Sequence, residues 1–174
     1  MKRFSALLLL LLSFTACKQE SSKTKDVNIP VEKSERPVSE FESDEWRKKD
    51  SVAMEYIYIA NEYESRGKYQ QALVLYKHVC SMDHALPDVF MNTAFLFVKN
   101  GDKNSAKAYL RKEIQRGKYF IGKKHPRTDS FEISIIQSFY YLGEEDSLNY
   151  YARKYGQNPG ERYEISGSEE MIVR

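Results

Sequence analysis

The sequence has few of the residues that interrupt helices or cross-link small domains: its 174 residues include 8 glycines, 5 prolines and 2 cysteines. Two cysteines are too few for a disulfide scaffold, and so little glycine and proline excludes a collagen-like chain. With 41% hydrophobic and 30% charged residues, the chain also has too few apolar residues for several membrane spans. Aromatic residues are abundant, and 13 of them are tyrosines. This composition predicts one soluble, packed domain that is rich in helix.

The sequence also lacks the patterns that are typical of catalytic and metal centres. His78 and His84 are six positions apart, whereas two ligands on one helix need a spacing of four. No glycine-rich phosphate loop and no nucleophile elbow is present. Acidic clusters such as Glu144-Glu145-Asp146 open a predicted helix, where negative charge suits the helix dipole. We therefore expect no enzymatic activity, no metal and no cofactor.

The N-terminus has the features of an export signal. Lys2 and Arg3 are followed by an apolar stretch, Ala6 to Phe14, which contains six consecutive leucines and is too short to span a bilayer. The stretch Ser13-Phe14-Thr15-Ala16-Cys17 resembles the lipobox of bacterial lipoproteins, in which the cysteine carries a diacylglycerol and becomes the mature N-terminus. This resemblance implies a signal peptide over residues 1–16 and lipidation of Cys17. The alternative is an ordinary secretory peptide that is cleaved near Ala16, with no role for Cys17.

Export determines the expected location and excludes one class of partner. Removal of Lys2 and Arg3 lowers the number of basic residues from 27 to 25, which equals the 25 acidic residues. A chain without surplus positive charge lacks the main driving force for nucleic-acid binding. We expect a protein attached to a membrane through its N-terminal lipid. If the host is Gram-negative, Lys18 after the cysteine resembles lipoproteins sorted to the outer membrane, and the periplasmic or surface-facing orientation stays open.

Two polar segments flank the predicted domain. Residues 17–44 are rich in Lys, Glu, Ser and Pro and have only scattered apolar residues, a composition typical of a flexible tether. Residues 157–174 are polar and contain Pro159, Gly160 and Gly167, so we expect a flexible tail. The predicted helical domain therefore covers residues 45–155.

An internal repeat lies within that domain. Residues 53–86 and 87–120 align without a gap at a period of 34 residues. The matched pairs are Tyr56 and Phe90, Ala60 and Ala94, Tyr63 and Phe97, Gly67 and Gly101, Ala72 and Ala106, and Tyr76 and Leu110. The repeat resembles the tetratricopeptide repeat, which is built from two antiparallel helices. This resemblance implies an all-α, right-handed stack of about three helix pairs, in which residues 130–156 form a third, less regular copy.

Several residues indicate where the helices begin and end. Asp50 or Ser51 is expected to cap the first helix, which Glu45–Lys49 extends, with Trp46 covering the open end of the stack. Asp102 is expected to cap the fourth helix, and Gly156 to end the sixth. Gly117 to Asp129 is predicted to be a loop, after which Asp129–Glu132 forms a capping box for the fifth helix.

In tetratricopeptide proteins the concave wall comes from the first helix of each pair. The resemblance therefore implies a partner groove formed by Asn61, Met91, Asn92, Phe95, Lys99 and Tyr141. Such a groove suits a protein or peptide partner in the cell envelope, and we expect an interaction adaptor or scaffold that assists assembly of an envelope complex. The alternatives are a surface lipoprotein that binds a small ligand or glycan, or one with a purely structural role. Met91 and Phe95 could also pack only against the tether or a neighbouring helix.

Overall fold

The computed structural model describes residues 39–158. The six helices are α1 (Asp44–Ser65), α2 (Tyr69–Ser81), α3 (Val89–Lys99), α4 (Lys103–Gly122), α5 (Thr128–Leu142) and α6 (Glu145–Lys154), and a short 3-10 turn at Glu40–Glu42 precedes them. No strand occurs among these residues, so the predicted all-α class is confirmed. None of the helices in this part of the chain is both long and apolar enough to cross a membrane.

Three glycines make the turns that join the helices in pairs. Gly67, Gly101 and Gly143 have φ values of +70°, +81° and +70°, a left-handed conformation that glycine adopts without strain. After each glycine, the next N–H donates to the carbonyl five residues earlier, with N to O distances of 2.9, 2.9 and 3.1 Å. This bond closes the last turn of a helix and reverses the chain. The pairs α1/α2, α3/α4 and α5/α6 are therefore three helix hairpins.

Small residues lie where the helices of a hairpin come close. Ala60 and Ala72 are both 0% exposed and belong to one core cluster of the first hairpin. Ala94 and Ala106 are 1% and 0% exposed and belong to the equivalent cluster of the second. An alanine allows two helix backbones to approach further than a larger side chain would. The alanines that recur in the two copies of the repeat therefore lie in the core.

The loop that was predicted from Gly117 to Asp129 is wrong in its first half. Helix α4 continues through Gly117 and ends at Gly122, which makes it 20 residues long. Gly117 is buried, and a Cβ atom added there would lie 2.8 Å from Cγ1 of Ile135 on α5. This glycine is required by the close packing of α4 on α5 and not by a turn. Gly143 lies 42 residues after Gly101, which is eight more than the period of 34, and these additional residues lengthen a helix instead of forming a loop.

Two helix starts also differ from the expectation. Helix α1 begins at Asp44, with the Trp46 N–H donating to Oγ of Ser43, so neither Asp50 nor Ser51 is a cap. Helix α5 begins at Thr128 without a side-chain cap, so the capping box at Asp129 is wrong. His125 organises this start, because its Nδ1 accepts from the Arg127 N–H at 3.0 Å. By contrast, Asp102 caps α4 as predicted, accepting from the Ser105 N–H at 2.9 Å.

The last residues of the expected tether are part of the folded domain. Phe41 is 7% exposed, and its ring centroid lies 5.1 Å from that of Trp46, 5.4 Å from Phe120 and 4.6 Å from His125. The predicted boundary at residue 44 is therefore too late, since Phe41 already packs on the helices. Cys17, the predicted signal peptide, the predicted tether before Ser39 and the predicted tail from Pro159 lie outside the described residues.

Candidate partner-binding surface

The first helix of each hairpin contributes the predicted groove residues. Asn61 lies on α1, Tyr141 on α5, and the other four on α3. Asn61 and Asn92 meet at one buried phenol from α2. The Tyr76 hydroxyl donates to Oδ1 of Asn61 at 2.7 Å, and the Asn92 side chain is a second hydrogen-bond partner of the same oxygen. Burial raises the pKa of Tyr76 to about 12, so this hydroxyl stays a neutral donor.

Lys99 joins the C-terminal ends of α3 and α1. Its Nζ lies 2.7 Å from Oε1 of Glu64, with both side chains about one third exposed, and 5.0 Å from the ring centroid of Tyr69. An ion pair between partly exposed side chains contributes up to about 1 kcal/mol to the free energy of unfolding. The Lys99 charge is therefore largely engaged within the chain.

Met91 and Tyr141 are core residues and not accessible groove residues. They are 5% and 0% exposed and belong to one cluster with Ala94, Ala106 and Leu110. Helix α3 is apolar nearly all round, and α5 places Tyr141 against the side of α3 that the sequence left open for a partner. The expected contribution of these two side chains to a groove is thus corrected: they form its floor.

The accessible aromatic surface passes from α3 to α5 across that floor. The ring of Phe95 meets Tyr141 edge-on with centroids 4.9 Å apart, and the ring centroid of Tyr140 lies 5.5 Å from that of Tyr141. Phe95 is half-buried, while Tyr140 and Ile133 are each 38% exposed. We call the exposed parts of Phe95, Val98, Ile133, Gln137 and Tyr140 the α3/α5 surface. Ile133, Gln137 and Tyr140 share one face of α5 because their spacings are four and three residues.

A buried polar cluster, which the sequence did not reveal, connects α3, α4 and α5. Glu113 of α4 is 0% exposed and accepts hydrogen bonds from the N–H groups of Asp88 (3.2 Å) and Phe90 (3.0 Å) and from Oγ of Ser134 (2.8 Å). Asp88 itself has a left-handed φ of 64° and makes no side-chain cap. Glu113 therefore caps α3 from a neighbouring helix and ties α3 to α5. Burial raises the pKa of Glu113, and the Ser134 hydrogen bond opposes that shift.

His84 and Arg116 form the other part of this cluster. Arg116 donates from Nη2 to Nδ1 of His84 at 2.9 Å and also to the His84 carbonyl oxygen. Burial lowers the pKa of His84 to about 4, and the nearby Arg116 charge acts in the same direction. His84 is 0% exposed, so no substrate can reach it. We interpret the cluster as a structural connection between the α2/α3 link and α4.

Cys80 has the environment of a small hydrophobic residue. Its Sγ lies 3.2 Å from Oγ1 of Thr93, and burial raises the pKa of the thiol to about 11. A thiol with so high a pKa is almost entirely protonated at neutral pH and is a poor nucleophile. Within residues 39–158 no group of three or more His, Cys, Asp or Glu side chains has an arrangement that could hold a metal ion.

The chain matches no protein-family model, no curated protein and no solved structure. The resemblance to tetratricopeptide repeats therefore rests on the residues of the chain itself.

Proposed function

We propose that this chain is a membrane-anchored adaptor that binds a protein partner of the cell envelope through the α3/α5 surface of a short tetratricopeptide-like stack. Two features of the helices support the stack. The turn glycines Gly67 and Gly101 are 34 residues apart and have the same conformation and hydrogen bond. The alanines at equivalent positions in the first two hairpins are buried in equivalent clusters.

The observation that carries the binding function is the aromatic and aliphatic character of the α3/α5 surface. Phe95, Tyr140 and Ile133 keep part of their apolar area exposed, and the fully buried ring of Tyr141 contacts the rings of Phe95 and Tyr140. Aromatic side chains held on a packed floor lose little entropy on binding and are typical anchors at protein interfaces. Gln137 beside them adds a hydrogen-bonding group suited to a peptide backbone.

Site-specific photo-cross-linking tests this proposal. A photoreactive phenylalanine analogue replaces Tyr140 in the full chain in its native membrane. The matched control carries the analogue at Tyr119, a tyrosine of α4 that is 55% exposed and lies outside the α3/α5 surface. We expect one discrete protein adduct from position 140, none from position 119, and loss of the adduct when Phe95 is also replaced by Ser.

The failures of this experiment have distinct meanings. If position 140 gives no protein adduct, the adaptor role is wrong and a small-ligand or structural role becomes the better proposal. Equal adducts from positions 140 and 119 show random collision and also contradict the proposal. An adduct that persists after Phe95→Ser excludes Phe95 as an anchor and contradicts this surface as the site.

We further propose that Cys17 carries the lipid that holds the domain at a membrane, the outer membrane if the host has one. The lipobox-like sequence that ends at Cys17 supports this proposal, as does the polar composition of the residues that follow it. Incorporation of labelled palmitate should depend on Cys17. A Cys17→Ser chain that pellets with membranes as completely as the original would contradict the anchor and leave the adaptor proposal to its own test.

A further inference from the structure

The outer face of α1 is exposed and partly apolar. Val52, Tyr58 and Ile59 are 37%, 75% and 43% exposed, which is unusual for three large hydrophobic side chains within two turns of one helix. The side of α1 with Ala53 and Ala60 packs against α2, so these three residues point away from the core. In the part of the chain that the structure describes, this face is open to solvent.

The residues of this face are arranged symmetrically about Glu55. Val52 and Tyr58 lie three positions before and after it, and Ser51 and Ile59 lie four positions before and after. Lys48 and Glu62 lie seven positions before and after, and Asp44 and Arg66 eleven. Offsets of three, four, seven and eleven positions fall on one side of an α-helix, and all nine residues are exposed. Both outer pairs combine a basic with an acidic residue.

We propose that two copies of this chain associate through this face, with their α1 helices antiparallel across a two-fold axis at Glu55. A two-fold axis brings each residue before Glu55 to the residue equally far after it in the second copy. Lys48 then faces Glu62 of the second copy and Asp44 faces Arg66, and each pair occurs twice. Val52, Tyr58 and Ile59 of the two copies cover one another between these ion pairs. Self-complementary charge thus identifies the occupant of the face as a second copy of the same chain.

The same arrangement limits the strength of the association. Within one chain, Arg66 already pairs with Glu62, and Asp44 pairs with Arg47 at 3.2 Å. These pairs are exposed and contribute little, so they can exchange for pairs across the axis. The two Glu55 carboxylates repel each other at the axis. A face formed by one helix is also smaller than a standard interface, so the dimer is weak and depends on concentration.

Disulfide trapping at the axis tests this proposal in the full-length chain. Because a residue on a two-fold axis lies next to its own copy, Glu55→Cys should give a covalent dimer under mild oxidation. Helices that pack 8–10 Å apart bring such residues within reach of a disulfide. The matched control is Val74→Cys, at a residue of α2 that is 66% exposed and outside the face. It should give at least tenfold less dimer.

Charge reversal supplies the second arm. Lys48→Glu in the Glu55→Cys chain should lower the yield of dimer several-fold. Addition of Glu62→Lys to that variant should restore the yield. Circular dichroism of each variant checks that it is folded. Without the cysteine, Glu55→Gln should increase the dimer fraction in sedimentation velocity, because it removes the repulsion at the axis. Equal cross-linking of Glu55→Cys and Val74→Cys, or no restoration by the second reversal, would overturn the proposal. If Glu55→Cys forms no dimer but gives a cross-linked product whose mass is not twice that of the chain, the proposal is also overturned. Such a product would indicate a different partner.

Discussion

Replacement of Gly117 by alanine tests the close packing of α4 on α5. The added Cβ would lie 2.8 Å from Cγ1 and 3.0 Å from Cδ1 of Ile135, and 3.3 Å from the carbonyl oxygen of Phe131. Ile135 is 0% exposed, and the carbonyl belongs to the backbone of α5, so neither neighbour can move away freely. Overpacking of this kind costs about 1–3 kcal/mol. Alanine also stabilises a helix interior by about 1 kcal/mol relative to glycine, which offsets part of that cost.

The expected net effect is a decrease of about 1 kcal/mol in the free energy of unfolding, measured by urea denaturation with circular dichroism. Gly122→Ala is the matched control on the same helix, because nothing lies within 4 Å of its added Cβ. That variant should gain up to about 1 kcal/mol, since only the helix preference acts there. The two substitutions should thus have opposite signs.

A double-mutant cycle with Ile135→Ala identifies the origin of the effect. Removal of the Ile135 side chain removes the two nearest of the three atoms that the new Cβ would meet and leaves only the Phe131 carbonyl oxygen, so Gly117→Ala should lose most of its destabilising effect in that background. If Gly117→Ala in the original chain does not lower the free energy of unfolding relative to Gly122→Ala, the close approach of α4 and α5 is wrong.

Three further predictions concern Glu113 and His84 of the buried polar cluster, and Phe41, which packs on Trp46. Glu113→Ala should lower the free energy of unfolding by about 3 kcal/mol or more in urea denaturation, because three hydrogen-bond donors lose a fully buried acceptor. Gln115→Ala on the exposed side of α4 should change it by less than about 0.5 kcal/mol. Equal losses would contradict the capping role. The pKa of His84 is about 4 in the folded chain, whereas its ordinary value is 6.5. The contribution of the neutral imidazole to the free energy of unfolding is therefore fully present above pH 6.5 and is lost as the pH falls towards 4. His84→Gln should therefore weaken the acid sensitivity of stability by up to about 3 kcal/mol, and identical pH profiles of the two proteins would refute this. Phe41→Ala should shift the emission of Trp46, the single tryptophan, to longer wavelength as water reaches its ring, and unchanged emission would show that residues 39–42 do not pack there.

Much of the helical framework was predictable from local sequence. The 34-residue period located Gly67 and Gly101, and both adopt the left-handed turn that only glycine accommodates freely. The same period placed Ala60 and Ala94 at buried positions, and Asp102 was recognisable as a cap because its partner lies three residues away. These features depend on interactions within a few turns of chain, which composition and spacing reveal directly.

The exposure of the predicted groove residues differs from the expectation, because exposure depends on which helices meet. Phe95 and Asn92 keep part of their surface exposed, but Tyr141 is entirely buried and Met91 nearly so. Both differences arise because Tyr141 of α5 contacts Phe95 of α3 and shares a core cluster with Met91, a contact between distant helices that the pattern of one helix cannot show. The accessible residues Ile133 and Tyr140 were recognisable by their spacing on α5, but their exposure was not.

The sequence by itself thus determined the all-α class, two of the three turn positions by strict repetition, and the cap of α4 at Asp102. Only the tertiary structure decided the role of Gly117, which a local reading takes for a loop residue and which in fact allows α4 and α5 to touch. It also decided the role of Glu113, whose three donors come from residues 21 to 25 positions away. A periodic pattern records which side of a helix is apolar, whereas the partner of a buried glycine or carboxylate is set by packing between helices that are distant in the chain.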